Sequence, residues 1–289
     1  MKKLIVLMGT LALVLGTAGL GQVLAGPYGT NITIYDNAPI PGPGPGVGVG
    51  NEDQETEPST YTGQGWDLEA FKQKGSTLSI IGGFDFATGQ VHESGQPAFT
   101  EPLGALFFKT GALAPAYGAV ANAGTDDAHT SLANSLLWNY DYAMTFNFTN
   151  NTYTLYSDLN HTANVIMHSS DGGQFTTDCA NPWNIGTGWT SVLTNNFTYL
   201  TNQTDAQVDG DLLGGTHNVI TGIDLNFLVT DPSLGNPLTW LHFTYDCGND
   251  NLMGQIPAGS VPLPPAALLL GTGLLGLVGL HWRKKGRAS

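Results

Sequence analysis

Basic residues are scarce in this chain, and cysteine is almost missing. Nine Lys and Arg stand against 23 Asp and Glu in 289 residues. Six of the nine sit at the two ends, at Lys2, Lys3, Arg283, Lys284, Lys285 and Arg287. Between residues 26 and 258 there are three lysines (Lys72, Lys74 and Lys109), no arginine and all 23 acids, a formal charge of −20. Nucleic-acid binding needs a basic footprint that displaces counterions, so it is excluded. A body this acidic repels anionic polymers and attracts cations. The two cysteines, Cys179 and Cys247, are expected to form one disulfide in an oxidising compartment, with metal binding by two lone cysteines the weaker reading.

What is plentiful points the same way. Gly (39) and Pro (16) abound, charged residues are only 11%, and Ser, Thr and Asn crowd the middle. That is the composition of an exported, loop-rich β protein rather than a helical cytosolic enzyme.

Uninterrupted apolar runs occur only at the ends. Met1-Lys2-Lys3 is a short positive region, residues 4–20 are apolar, and Val23-Leu24-Ala25 is a small-residue cleavage box. Residues 1–25 therefore read as a signal peptide, carried by the Sec translocon and removed by signal peptidase after Ala25. At the other end, residues 266–282 form an apolar span rich in Gly, closed by Trp282 and the cluster Arg283, Lys284, Lys285 and Arg287. This is read as a single C-terminal transmembrane helix, slightly short, with the tail cytoplasmic and the body outside. Pro262, Pro264 and Pro265 keep that helix from running back into the body.

The proline box Val261-Pro262-Leu263-Pro264, the short Gly-Leu span and the terminal basic cluster together resemble the PEP-CTERM sorting signal of bacteria. The commoner form has Glu in the third place, where Leu263 stands here. The resemblance covers residues 261–287 and implies an exosortase-type membrane protease as partner, with cleavage near the proline box. It also implies a destination in the cell envelope or outside the cell, and an association with exopolysaccharide or biofilm. Three body segments, GQGWDLEAF, LSIIGGFDF and NYDYAMTFNFTNNTYTLYS, resemble a β-rich exported domain that recurs with such tails. That resemblance implies an acidic segment near residues 104–108, but GALFFKTGALAP carries no acid.

The body divides into residues 26–60, with an N-terminal strand, the Pro/Gly run 41–50 and an acidic run, and a β domain over 61–258. In residues 138–149, Trp138, Tyr140, Tyr142, Met144, Phe146 and Phe148 alternate with smaller or polar residues, which predicts a long strand with one buried face. Asn150-Asn151 predicts a tight turn, with residues 152–157 returning and Tyr153 and Leu155 inward. Ile223, Leu225, Phe227 and Val229 predict another strand, as do Leu241, Phe243 and Tyr245, and Ala163, Val165 and Met167. Residues 78–81 followed by Gly82-Gly83 suggest a strand with a bend. The expected fold is all-β, an antiparallel, jelly-roll-like β-sandwich.

Candidate chemistry is thin. Asp67 and Glu69 lie two apart, so on a strand they share a face about 7 Å apart, a separation that glycoside hydrolysis can use. The competing expectation is that Trp66, Leu68 and Ala70 face the core while both acids face solvent. Glu52, Asp53, Glu55 and Glu57, then Asp205, Asp209 and Asp211, then Asp246, Asn249 and Asp250 are oxygen donors of the type calcium takes, though none forms an EF-hand loop. The histidines are scattered and read as packing or surface residues. Trp183, Trp189 and Trp240 would serve a carbohydrate-binding module if they formed an exposed row. The leading expectation is a non-enzymatic exported surface protein without a cofactor. A carbohydrate-binding module and a secreted glycoside hydrolase follow.

Overall fold

A computed structural model describes residues 26–34, 63–92, 99–112, 139–167, 182–210, 212, 214–230, 235–245 and 250–262. The leader, the Pro/Gly run, the acidic run, both cysteines and the tail from Leu263 onward lie outside the described residues.

The described residues are mostly β, with almost no helix, as an all-β fold predicts, and their strands pair antiparallel. One sheet has five strands: Thr30–Asn31 (β1), Ala70–Lys74 (β2), Thr77–Gly82 (β3), His217–Asp224 (β13) and Thr198–Gln203 (β12), in that order. A second has six: Thr190–Asn196 (β11), Thr152–Ser157 (β8), Tyr142–Asn147 (β7), Leu106–Thr110 (β6), Thr239–Thr244 (β14) and Asn251–Ile256 (β15). Among the described residues there are also two small two-stranded pairings, Gln90–His92 (β4) with Phe99–Glu101 (β5) and Val165–Met167 (β9) with Pro182–Ile185 (β10).

A single apolar cluster draws on both large sheets. Phe71, Leu78, Ile80, Ile220 and Ile223 come from the first, and Leu106, Phe108, Met144, Leu155, Leu241, Phe243 and Leu252 from the second. Two connections join the sheets at their edges. The segment after β1 bonds to both, with Ile32 N donating to Phe71 O at 2.9 Å and Ile34 N donating to Met253 O at 2.9 Å. At the other side the chain passes from β11 to β12 through buried Phe197.

The β7–β8 hairpin forms as the alternation predicts. Tyr142, Met144, Tyr153 and Leu155 are buried, and Asn151 takes φ 53° in the turn, a conformation Asn tolerates. The strand is shorter than expected at its start. Asn139 takes φ 50°, and Tyr140 packs into a different cluster, with Phe107, Ala143 and Val165 on the far face of the six-stranded sheet.

Two expectations are corrected. The strand expected over residues 223–230 ends at Asp224, and Phe227–Thr230 form a short helix (α1) instead. Asp224 Oδ1 accepts from Asn226 N at 3.0 Å and Leu225 O from Leu228 N at 3.0 Å, which turns the chain and buries Leu228 beside Phe227. On β14, His242 and Thr244 are buried along with Leu241 and Phe243, so this strand has two buried faces rather than one. The β9–β10 hairpin accounts for the second: Trp183 O accepts from Ala105 N at 2.7 Å, and Gly104 sits where a Cβ would overlap Trp183 O and Thr244 O.

Candidate functional site

The outer face of the five-stranded sheet carries its own small apolar cluster. Ala70 pairs with Ile81 and Ile81 with Val219, which places all three side by side, and Tyr28, Val208 and Leu212 cover them. Val208 belongs to a 3-10 turn, Asp205–Val208, that lies over the sheet as a strap. Thr204 opens the turn, with Gln207 Oε1 accepting from Thr204 N at 2.9 Å, and Asp209 closes it in the left-handed region at φ 85°.

A charged contact fixes each end of the strap. At its start, Asp205 Oδ1 lies 3.1 Å from His217 Nε2, and the opposite ring nitrogen, Nδ1, lies 2.7 Å from Glu69 Oε1 and 2.8 Å from Oε2. Gln64 Nε2 donates to the same Glu69 carboxylate. At its end, Lys72 Nζ donates to Val208 O and to Asp209 Oδ2, each at 3.0 Å. His217, Glu69 and Lys72 are buried, whereas the Asp205 side chain is 46% exposed and brings the array to the surface.

Electrostatics follow from this geometry. Burial pulls the His217 pKa down, but the hydrogen bonds and charges of Glu69 and Asp205 outweigh it, and the net shift is upward. Carboxylates only accept, so an imidazole held between two of them is best served by the doubly protonated ring. With both nitrogens donating, none is left to take a proton from a nucleophile. The array works as a clamp rather than as a general base.

Asp67 and Glu69 do not face solvent, which corrects that expectation. Both are buried: Leu68 enters the inter-sheet core, and Glu69 lies against His217 beneath the strap instead of facing solvent. Glu69 is engaged by His217 and Gln64, and Asp67 O accepts from Gly83 N at 2.8 Å. Beside Asp67, Leu68 N donates to the buried Asp250 carboxylate.

Two further polar clusters lie on the six-stranded sheet. Tyr140 Oη lies 2.9 Å from His242 Nδ1, and His242 Nε2 lies 3.3 Å from Asn251 Oδ1, which fits a neutral ring with its proton on Nε2. Complete burial pushes the His242 pKa down to about 4. Asp141 accepts from Thr110 N at 2.6 Å and Thr110 Oγ1 at 2.7 Å, with His161 Nε2 at 2.9 Å. These bonds pin the bend that precedes β7.

The remaining candidates are dispersed. Trp183 and Trp189 lie on and beside β10, and Trp189 donates to Asn164 O at 2.7 Å. Trp240 is on β14 and donates to Gly111 O at 3.1 Å, so the three half-buried indoles form no exposed row. Of the calcium candidates in the first two sets, Asp205 faces His217 and Asp209 faces Lys72, while Glu52, Asp53, Glu55, Glu57 and Asp211 lie outside the described residues. Among the described residues no group of three His, Cys, Asp or Glu is placed to hold a metal ion. Of the sorting-signal residues, Val261 is buried in the main core and Pro262 is exposed; Leu263, Pro264, Arg283, Lys284 and Lys285 lie outside the described residues. Among the described residues no helix is long and apolar enough to cross a membrane.

Sequence reasoning missed His217 and Lys72 as organising residues. Glu69 and His217 are 148 positions apart, and neither sits in a motif that announces the other. No family model, curated protein or solved structure matches the chain.

Proposed function

We propose that this is an exported, non-enzymatic surface protein. A leader ending at Ala25 delivers it across the inner membrane. The C-terminal signal holds it there until an exosortase-type protease acts near the proline box, and the body is then placed in the cell envelope or outside the cell. The body is a β-sandwich in this reading, supported by the one apolar cluster shared by two antiparallel sheets.

One observation carries the topology. The residues next to the two processing points meet consecutive residues of one strand. Lys74 Nζ donates to Pro27 O at 3.3 Å, and Gln73 Nε2 donates to Ser260 Oγ at 3.2 Å. Both ends of the described body therefore lie beside β2, which suits a body tethered at both ends to one membrane. Removing residues 263–289 tests the tail. The expected result is loss of the protein from the inner-membrane fraction with an unchanged folded body. An unchanged membrane distribution would contradict it.

A second reading, polysaccharide binding, has its own support. On the outer face of β7, β8 and β11, Thr145 pairs with Thr154 and Thr154 with Thr194, and Asn147, Thr152 and Asn196 form the next rung. Every residue of β11 is exposed. An uncharged plane of hydroxyls and amides suits a neutral glycan, whereas the body's charge opposes an acidic one. Replacing Thr154 by Arg should weaken co-sedimentation with a neutral polysaccharide while leaving the melting temperature nearly unchanged. Equal co-sedimentation would remove this reading.

A further inference from the structure

Asp209 has an unmet requirement at the end of the strap. Its side chain is only 9% exposed. Lys72 takes Oδ2, but Oδ1 is buried and, among the described residues, has no hydrogen-bond partner. A carboxylate oxygen left bare in this way is costly, so a donor is expected there.

The Gly26 backbone lies against that oxygen. A Cβ built on Gly26 would overlap Asp209 Oδ1 and Cγ, so the site admits glycine and no larger residue without rearrangement. Cβ and N share one Cα and stand about 2.5 Å apart, which puts the Gly26 nitrogen within about 4 Å of Oδ1. Gly26 is held there by its neighbours. Gly29 N donates to Gly26 O at 3.2 Å, Tyr28 is buried in the outer cluster, and Lys74 holds Pro27 O.

We propose that the α-ammonium of Gly26, created when the leader is removed, is the missing partner of Asp209. Hydrolysis of the Ala25–Gly26 peptide bond consumes one water. It leaves a carboxylate on Ala25 and an ammonium on Gly26. An amide nitrogen has one N–H in a fixed direction, whereas an ammonium carries three donors arranged tetrahedrally and a full charge. The new terminus then pairs with Oδ1 while Lys72 keeps Oδ2. Asp209 becomes a carboxylate bridging two cations, and the strap is locked to both β2 and the chain terminus. Processing in this scheme completes the fold as well as releasing it from the leader. Glycine at position 26 serves the cleavage site and the closure together.

The inference rests on the export reading for its biology, and the tests separate the two. Two chains are compared, both keeping residues 263–289. One begins at Gly26, and the other carries a single extra Ala before it. Each is also made with Asp209→Asn. The chain beginning at Gly26 is expected to melt about 3–10 °C higher, the range for one charge-assisted buried bond in a domain of this size. The difference should collapse in the Asp209→Asn pair. Equal melting temperatures with Asp209 present, or a difference that survives Asp209→Asn, would overturn the proposal.

Should Asp209→Asn fail to fold, acylation of the Gly26 amine gives the second measurement. In the native chain beginning at Gly26 the amine should react about tenfold or more slowly than in urea, as a group does that is reached only through opening. No protection would overturn the proposal. Sequencing the N-terminus of protein exported by its host tests the cleavage position by itself. A start elsewhere would mean that no Gly26 ammonium forms in the host and would overturn the proposal, while the export reading would lose only its cleavage point.

Discussion

His217 Nδ1 lies 2.7 Å from Glu69 Oε1, and both side chains are withdrawn from solvent. The pair joins the start of β13 to the residue before β2, and through Asp205 it pins the strap to the sheet. Its removal therefore affects a long-range contact rather than a local one.

His217→Ala should cost about 3–5 kcal/mol, because it leaves the Glu69 carboxylate buried without its cation. The loss is read by urea unfolding. Glu69→Gln should cost less, since Gln keeps an acceptor of the same shape. A change below about 0.5 kcal/mol for His217→Ala would place it with ordinary surface substitutions and contradict the clamp.

The pH dependence has a defined sign. The folded His217 pKa is raised, so its contribution is fully present below the unfolded value, near 6.5, and is lost as pH rises through the folded value. The stability gap between the native chain and His217→Gln should be widest at mildly acidic pH and narrow under alkaline conditions. Thermal melts across pH 5 to 9 check this. A gap that widens with pH would reverse the assignment.

His242 acts in the opposite direction. Burial holds its pKa down to about 4, so the unfolded chain binds the proton more readily between about 4 and 6.5. Stability from this group falls as pH drops through that window, by about 3 kcal/mol in all. His242→Gln should flatten the acid limb between those values while lowering stability at neutral pH. Denaturant midpoints at pH 7 and pH 4.5 for both chains give the comparison.

Gly104→Ala tests the second layer. The added methyl would meet Trp183 O and Thr244 O, both backbone atoms that have no room to yield. The expected cost is about 1–3 kcal/mol. Faster hydrogen exchange is expected at the Ala105 amide, which is bonded to Trp183 O. Unchanged exchange at Ala105 would show that the β9–β10 hairpin does not depend on this approach.

Much of the fold was legible because period-two alternation is a local property. Met144, Phe146, Tyr153 and Leu155 announced their faces, and the Asn150-Asn151 turn announced its hairpin. What escaped depended on tertiary context. The run from Ile223 to Val229 alternates as a strand would, yet the Asp224 side chain caps a turn and Leu228 is buried as well. His242 and Thr244 alternate with the core residues Leu241 and Phe243, and nothing local shows that their own face is buried too. The site was less legible than the fold. Asp67 and Glu69 looked like one exposed face, but both are buried, and Glu69 is covered by His217 and the strap that Asp205 brings over it. Nothing near Glu69 in sequence points to His217, and nothing near Asp209 points to Gly26.

The most direct test of the export reading is the intact mass of the protein recovered from its host's envelope and medium. The expected product begins at Gly26, ends between Val261 and Pro265, and carries a formal charge near −20. A mature product still carrying residues 283–289 would contradict processing at the C-terminal signal and leave a simple tail-anchored surface protein.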